Sequence, residues 1–242
     1  MLSKNQIKFI RSLQQKKQRD LHKRFVVEGR RSVTELLESH SDYLDLLVVT
    51  TTYLDQNNVS KSVPFEITDE ITFSKLTKSV TPQGILAVFK QPELHYSEQS
   101  FMLFLDGIQD PGNMGTIIRL ADWFGVKQVV CSNDCVELFN PKVVQSSMGA
   151  VFRVPVVYHP LEDLLTKTSL PVYGALLEGE SVYQQPLDFH GILVMGNEGN
   201  GISPAVLPYI TKPVLIPRFG GGESLNVSTA TGILLSEFRR NS

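Results

Sequence analysis

FGGGESLNVSTATG, residues 219–232, sets the reading of this chain. Three glycines precede an acid, a hydroxyl, Leu225 and Asn226, and then a run of small residues suited to opening a helix. A glycine run at a helix mouth lets backbone amides approach a ligand, because glycine has no Cβ to obstruct and takes positive φ without penalty. The run follows the apolar segment PVLIPRF, residues 213–219, which reads as a strand. The stretch is thus a strand-to-helix loop, and ligands of parallel α/β sheets bind outside the carboxyl ends of the strands.

Two more loops of this kind lie upstream: LDGIQDPGNMGTIIRLADWFG, residues 105–125, and VMGNEGNGIS, residues 194–203. Neither these nor residues 216–232 carry the lysine of a phosphate-binding P-loop or the glycine spacing of a dinucleotide site. One glycine cluster is usually a plain turn; three at strand ends point to a common site. Around them the strands FMLFLDG, KQVVCS, FRVPVV, PVYGALL, GILVMG and PVLIPRF alternate with helices expected at about 112–124, 141–150, 161–167, 203–210 and 224–240. That alternation predicts a mainly parallel sheet covered on both faces.

Upstream again, residues 3–18 read as one helix with Ser3 at the N-cap and Ile7, Ile10 and Leu13 on one face. The strand FVVEG, the helix RRSVTELLES with Val33, Leu36 and Leu37 inward, the strands LDLLVVTT and PFEITD, the helix DEITFSKLTK and the strand GILAVFK follow. They make a small α/β unit. QPELHYSEQS, residues 91–100, is polar and aperiodic, so the boundary is placed there, with domains at 1–96 and 97–242.

Composition excludes several classes. The 242 residues are 42% hydrophobic and 20% charged, as in ordinary globular proteins, with no apolar run long enough for a membrane span. The N-terminus lacks the pattern of a secretory signal, which predicts a cytoplasmic protein. Cys131 and Cys135 are too few for a disulfide scaffold or a zinc site, so structural thiols and no metal are expected. The net charge of −2 hides an asymmetry: residues 1–31 carry +8 and the remainder −10. Such a split suggests a polyanion partner, with Lys16, Lys17, Lys23, Arg24 and Arg30 as candidate contacts to its phosphates, although a basic helix face can also simply be solvated.

NMGTIIR (113–119), GNEGNGIS (196–203) and IPRFGGGESLNVSTATGILL (216–235) resemble, in order and spacing, motifs one, two and three of the SpoU (TrmH) family of RNA methyltransferases. The segment with FVVEGRRSVTELL is similar to the ribosomal-protein-like substrate-binding domain attached to many members. The resemblance implies S-adenosylmethionine as cofactor, a homodimer, and a C-terminal sheet tied in a deep trefoil knot of the SPOUT class. It implies that Gly196, Gly201, Ile216, Leu225 and Ser224 line the cofactor, and that Arg119 is the catalytic arginine with Asn113, Glu198, Ser224 and Asn226 beside it. Arg218 departs from the methionine common in the family; it is expected to face substrate or to pair with Glu223 or another acid.

Plainer readings stand beside these. Asn113 can cap its helix, Glu198 can cap the following turn or orient Arg119, and Ser224 and Asn226 can be caps without further duty. Leu225, Ile233, Leu234 and Phe238 suit packing, and Trp123 and Phe124, late in their helix, are expected to be buried. His22, His40, His95, His159 and His190 lie outside the motifs, so no histidine base is expected. The leading function is ribose 2'-O-methylation, most simply of ribosomal RNA with transfer RNA as the other substrate. The alternatives are a non-catalytic RNA-binding or ribosome-assembly protein and a base methyltransferase of the same knotted class.

Overall fold

In the structure, a computed structural model that describes residues 2–57 and 63–240, Ser3 starts the first helix with a reciprocal cap. Its hydroxyl accepts from the Gln6 amide and the Gln6 side chain accepts from the Ser3 amide. The expected single helix over 3–18 is two: α1 (Lys4–Ser12) and α2 (Lys16–His22). The break is held by Arg19, which is buried and donates from its guanidinium to the Leu13 carbonyl at 2.7 Å, satisfying the end of α1. One of the ten basic residues near the N-terminus is therefore a structural staple.

The chain divides into two units, Met1–Glu93 with Phe139–Gly149 and Leu94–Leu138 with Ala150–Ser242. In the first, β1 (Arg24–Glu28), α3 (Arg30–Ser39), β2 (Leu44–Thr50), α4 (Thr51–Gln56), β3 (Glu66–Thr68), α5 (Glu70–Ser74) and β4 (Ile85–Lys90) follow α2. The sheet order is β1-β4-β2-β3, antiparallel except for the β2–β3 pair. Ile10, Leu13, Val48, Phe73, Leu76, Leu86 and Val88 form a core on one face. Val33 and Leu36 of α3 are buried, whereas Leu37 is half-buried. Helix α4 was not expected; Thr50 caps it by accepting from the Tyr53 amide.

The second unit contains β5 (Phe101–Leu105), α6 (Pro111–Trp123), β6 (Val129–Cys131), β7 (Val156–Tyr158), α8 (Leu161–Leu165), β8 (Val172–Ser181), β9 (Gly191–Met195), β10 (Lys212–Leu215) and α9 (Val227–Arg239). Its six strands are ordered β10-β8-β9-β5-β6-β7, and every pairing is parallel. All residues of β5 and β9 are buried, as a sheet covered on both sides requires. One face packs Met102, Phe104, Val130, Ile192 and Val194 against Leu161, Leu165, Ile202 and Val206. Elsewhere Phe238 of α9 lies against Phe101 and Tyr173, with ring centroids 5.1 and 4.8 Å apart.

Prolines account for two departures from the expected elements. The helix expected over 203–210 is only a short 3-10 turn at Leu207–Tyr209, because Pro208 lacks the amide that the second turn of a helix would use. The strand FRVPVV begins only at Val156; Phe152 closes a 3-10 turn and Pro155 offers its carbonyl to the Val129 amide at 3.0 Å. Helix α7 (Pro141–Ser147), expected in the C-terminal domain, groups with the first unit, where the Phe139 ring lies tilted against Phe25 with centroids 4.5 Å apart. Among the described residues no helix is long and apolar enough to cross a membrane.

Candidate active site

The strand order of the second unit reverses at β5: the chain passes to β6 and β7 on one side and returns to β8, β9 and β10 on the other. A crevice at the carboxyl ends of β5 and β9 follows from that order. The loops after β5 and β9 are locked together by side chains that the motif reading overlooked. Asp106, buried, accepts from the Ser203 amide at 2.7 Å, and Asn197 donates to the Gly107 carbonyl at 2.6 Å. The other end of the Asn197 amide accepts from the Gly199 and Asn200 amides at 2.9 and 3.2 Å, folding GNEGNG into a tight turn. A Cβ on Gly196 would stand 2.2 Å from the backbone of Gly201 and Ile202, so no other residue fits there.

Beneath the β5 loop, the Gly107 amide donates to Ser132 at 2.8 Å and the Ile108 amide to the Cys135 sulfur at 3.2 Å. Cys131 and Cys135 are free, buried thiols. Burial pushes the Cys131 thiol well up, whereas hydrogen bonds, first from Cys131 and then from Ser132 and Ile108, bring Cys135 down.

Helix α6 opens with Asp110 as N-cap, accepting from the Asn113 amide at 2.8 Å, with Pro111 in the first turn. Asn113 therefore is not the cap, because the chain turns into the helix before it. Its side chain instead joins the three loops. Nδ2 donates to Glu198 Oε1 at 2.8 Å, and Oδ1 accepts from Asn226 Nδ2 at 2.9 Å. Asn226 is the N-cap of α9, its Oδ1 accepting from the Ser228 and Thr229 amides at 3.0 and 3.3 Å. The packing of α9 along α6 brings the third loop to the first two. Ser224 lies before the helix, exposed, and caps nothing.

Arg119 is exposed on α6, and no described residue pairs with it, Glu198 included. Trp123 is 83% exposed, against expectation. Met114, Ile117, Ile118 and Ala121 form the buried stripe of α6, and positions 119 and 123, one turn apart, fall off it together. Leu234 and Phe238 are packed as expected, but Leu225 is 52% exposed and Ile216 half-buried, next to exposed backbone at 220–222. Cβ atoms on Gly220, Gly221 and Gly222 would meet nothing within 4 Å. Packing within the chain therefore does not require these glycines. Arg218 donates to the Gly222 carbonyl at 3.2 Å rather than to an acid. Among the described residues no group of three or more His, Cys, Asp or Glu side chains could hold a metal ion.

The first unit divides the candidate RNA contacts. Lys17, Lys23 and Arg30 are exposed. Lys16 pairs with Asp20 at 2.7 Å, and Arg24, half-buried, approaches Asp45 at 3.1 Å while donating to the His22 and Lys23 carbonyls. The Arg24 guanidinium is thus engaged within its own unit, by Asp45 and two backbone carbonyls.

Comparison with known proteins agrees with the three-loop pattern. The SpoU rRNA methylase family matches residues 100–236, and the MRM3-like substrate-binding domain matches residues 4–87. The chain is 35% identical to the 23S rRNA (guanosine(2553)-2'-O)-methyltransferase RlmP of Bacillus subtilis (strain 168), over 98% of this chain and 97% of that protein. A solved TrmH-family protein from Porphyromonas gingivalis is 43% identical, with a TM-score of 0.88 over 100% of both chains. An AdoMet-bound rRNA methyltransferase from Sinorhizobium meliloti is 29% identical, with a TM-score of 0.83 over 99% of this chain and 96% of that one.

Proposed function

The chain belongs to the SpoU rRNA methylase family, and we propose that it transfers a methyl group from S-adenosylmethionine to a ribose 2'-hydroxyl of ribosomal RNA. The observation that carries this reading is Asn113, which bonds Glu198 and Asn226 and so ties one residue from each of three strand-end loops into one chain. The relative from B. subtilis, named for 2'-O-methylation of 23S rRNA, and the AdoMet-bound relative from S. meliloti support the reaction and the cofactor. S-adenosylmethionine, when bound, supplies the electrophilic methyl group.

The residues present fit such a cofactor. Three consecutive glycines in open space leave backbone amides and carbonyls accessible, and the exposed Leu225 and half-buried Ile216 offer apolar surface for a purine. Gly196, Gly201 and Ser224 complete the proposed lining. On the acceptor side, Arg119 is permanently protonated and so is unsuited as a base. It holds the target nucleotide and stabilises negative charge on the 2'-oxygen as the proton leaves to water. Asn113, itself held by Asn226, orients the Glu198 carboxylate within the same group of loops.

Residues 1–96 form the RNA-binding domain, with Lys17, Lys23 and Arg30 as contacts, Lys16 and Arg24 contributing less, and residues 97–242 form the methyltransferase domain. The latter is knotted and works as a homodimer in the cytoplasm, with the exposed Trp123 a candidate contact for the partner. Calorimetry and a labelled-methyl assay on Arg119→Ala test the role assignment. Cofactor affinity within about twofold of the parent with transfer reduced at least a hundredfold is expected, on the scale of losing an oxyanion-type donor. Equal loss of both would make Arg119 structural.

A further inference from the structure

Phe219 is 93% exposed, although Phe25, Phe73, Phe89, Phe101, Phe104 and Phe238 are all buried. It stands at the head of the β10–α9 loop, next to the Arg218 side chain that closes this loop onto the Gly222 carbonyl. We propose that Phe219 is a stacking platform for a base of the acceptor RNA, holding the target ribose against the methyl-transfer site. The inference rests on the RNA methyltransferase reading and adds a positioning residue to it.

Three observations favour a nucleic-acid base as the occupant. The ring is followed by three glycines at which even an added Cβ would meet nothing within 4 Å, so a planar group can lie flat against it without meeting side chains of the loop. The Arg218 contact closes residues 218–222 into a turn, which limits the entropy that a free glycine run would lose on binding. Its cationic neighbour suits a phosphate-bearing ligand, and any base offers a π face, so the contact tolerates different sequences. A second copy of the chain is the weaker candidate. The ring is flanked by Arg218, three glycines, Glu223 and Ser224, and the apolar Ile216 and Leu225 at the ends of the loop are assigned to the cofactor, which leaves little towards the roughly 1,000 Å² of a stable protein interface.

The test uses the full chain with Phe219→Ala and Phe219→Trp, unmodified ribosomal RNA, and labelled S-adenosylmethionine. Phe219→Ala is expected to lower kcat/KM for RNA by roughly 5- to 150-fold, the range for losing one stacked base. Cofactor Kd and sedimentation behaviour should stay as in the parent, and Phe219→Trp should restore most of the rate. Ribosomal RNA carrying 4-thiouridine, irradiated with the parent protein, should cross-link to the peptide containing Phe219 whether or not methyl is transferred. No transfer by the parent protein would count against the enzymatic reading, with the cross-link still deciding this one. Unchanged kcat/KM, a parallel loss of cofactor affinity, an altered assembly state, or cross-links only elsewhere would each overturn the platform.

Discussion

Asn226 uses the two ends of one amide for two purposes: its oxygen caps α9 and its nitrogen holds Asn113. Asn226→Asp separates them. Aspartate caps as well as asparagine and suits the positive helix end, so thermal unfolding should change by no more than about 1 kcal/mol. The lost donor leaves a carboxylate facing Asn113 Oδ1, which turns the Asn113 amide and breaks its bond to Glu198. Methyl transfer should fall at least tenfold, and a normal rate in the labelled-methyl assay would disconnect the asparagine chain from the chemistry. The residues of this chain were legible as candidates but not their roles. Asn113 sits close enough to a helix start to be read as a cap, and only the turn at Asp110 followed by Pro111 assigns the cap elsewhere. That Asp-Pro pair was the available signal. Asp106 and Asn197 were missed because their partners are backbone groups 97 and 90 positions away, which no local pattern records.

Among elements, the two glycine loops of the site behave oppositely. Gly196 is fixed by its surroundings, since a Cβ would enter the backbone at Gly201 and Ile202, whereas Gly221 meets nothing. Gly196→Ala should therefore destabilise the second unit by about 2 kcal/mol or more, as forced overpacking does. Gly221→Ala should leave the melting temperature unchanged or slightly higher, because it restricts the unfolded chain. Yet it should weaken S-adenosylmethionine at least fivefold if the backbone there meets the cofactor. Thermal melts and calorimetry on the two variants check the contrast, and unchanged affinity in Gly221→Ala would remove this segment from the proposed cradle. Apolar alternation made most strands and helices legible. What it could not reveal was the break between α1 and α2, set by the buried Arg19, or the brevity of the 207–209 turn, where a proline outweighed pattern.

At the scale of the whole molecule, the charge split of +8 in residues 1–31 against −10 elsewhere was legible as a polyanion signal, but not which cations are available. Changing Lys17, Lys23 and Arg30 to Gln should flatten the log–log salt dependence of RNA affinity by about 2 to 3, at roughly 0.7 to 0.9 per phosphate contact. The same change at Lys16 and Arg24, already paired with Asp20 and Asp45, should do less. Filter binding across a salt series would show equal slopes if the basic segment is only solvated. The grouping of α7 with the first unit escaped the sequence for a related reason: it depends on Phe139 meeting Phe25, far away in the chain. The central claim, methyl transfer to ribose, is tested most directly by the product. Purified protein, labelled S-adenosylmethionine and unmodified ribosomal RNA are incubated with EDTA, and the RNA is then hydrolysed in alkali. The label should appear in an uncleaved dinucleotide, because a methylated 2'-oxygen cannot attack its own phosphate; label in mononucleotides with a methylated base, or none in RNA while cofactor binds, would contradict the account.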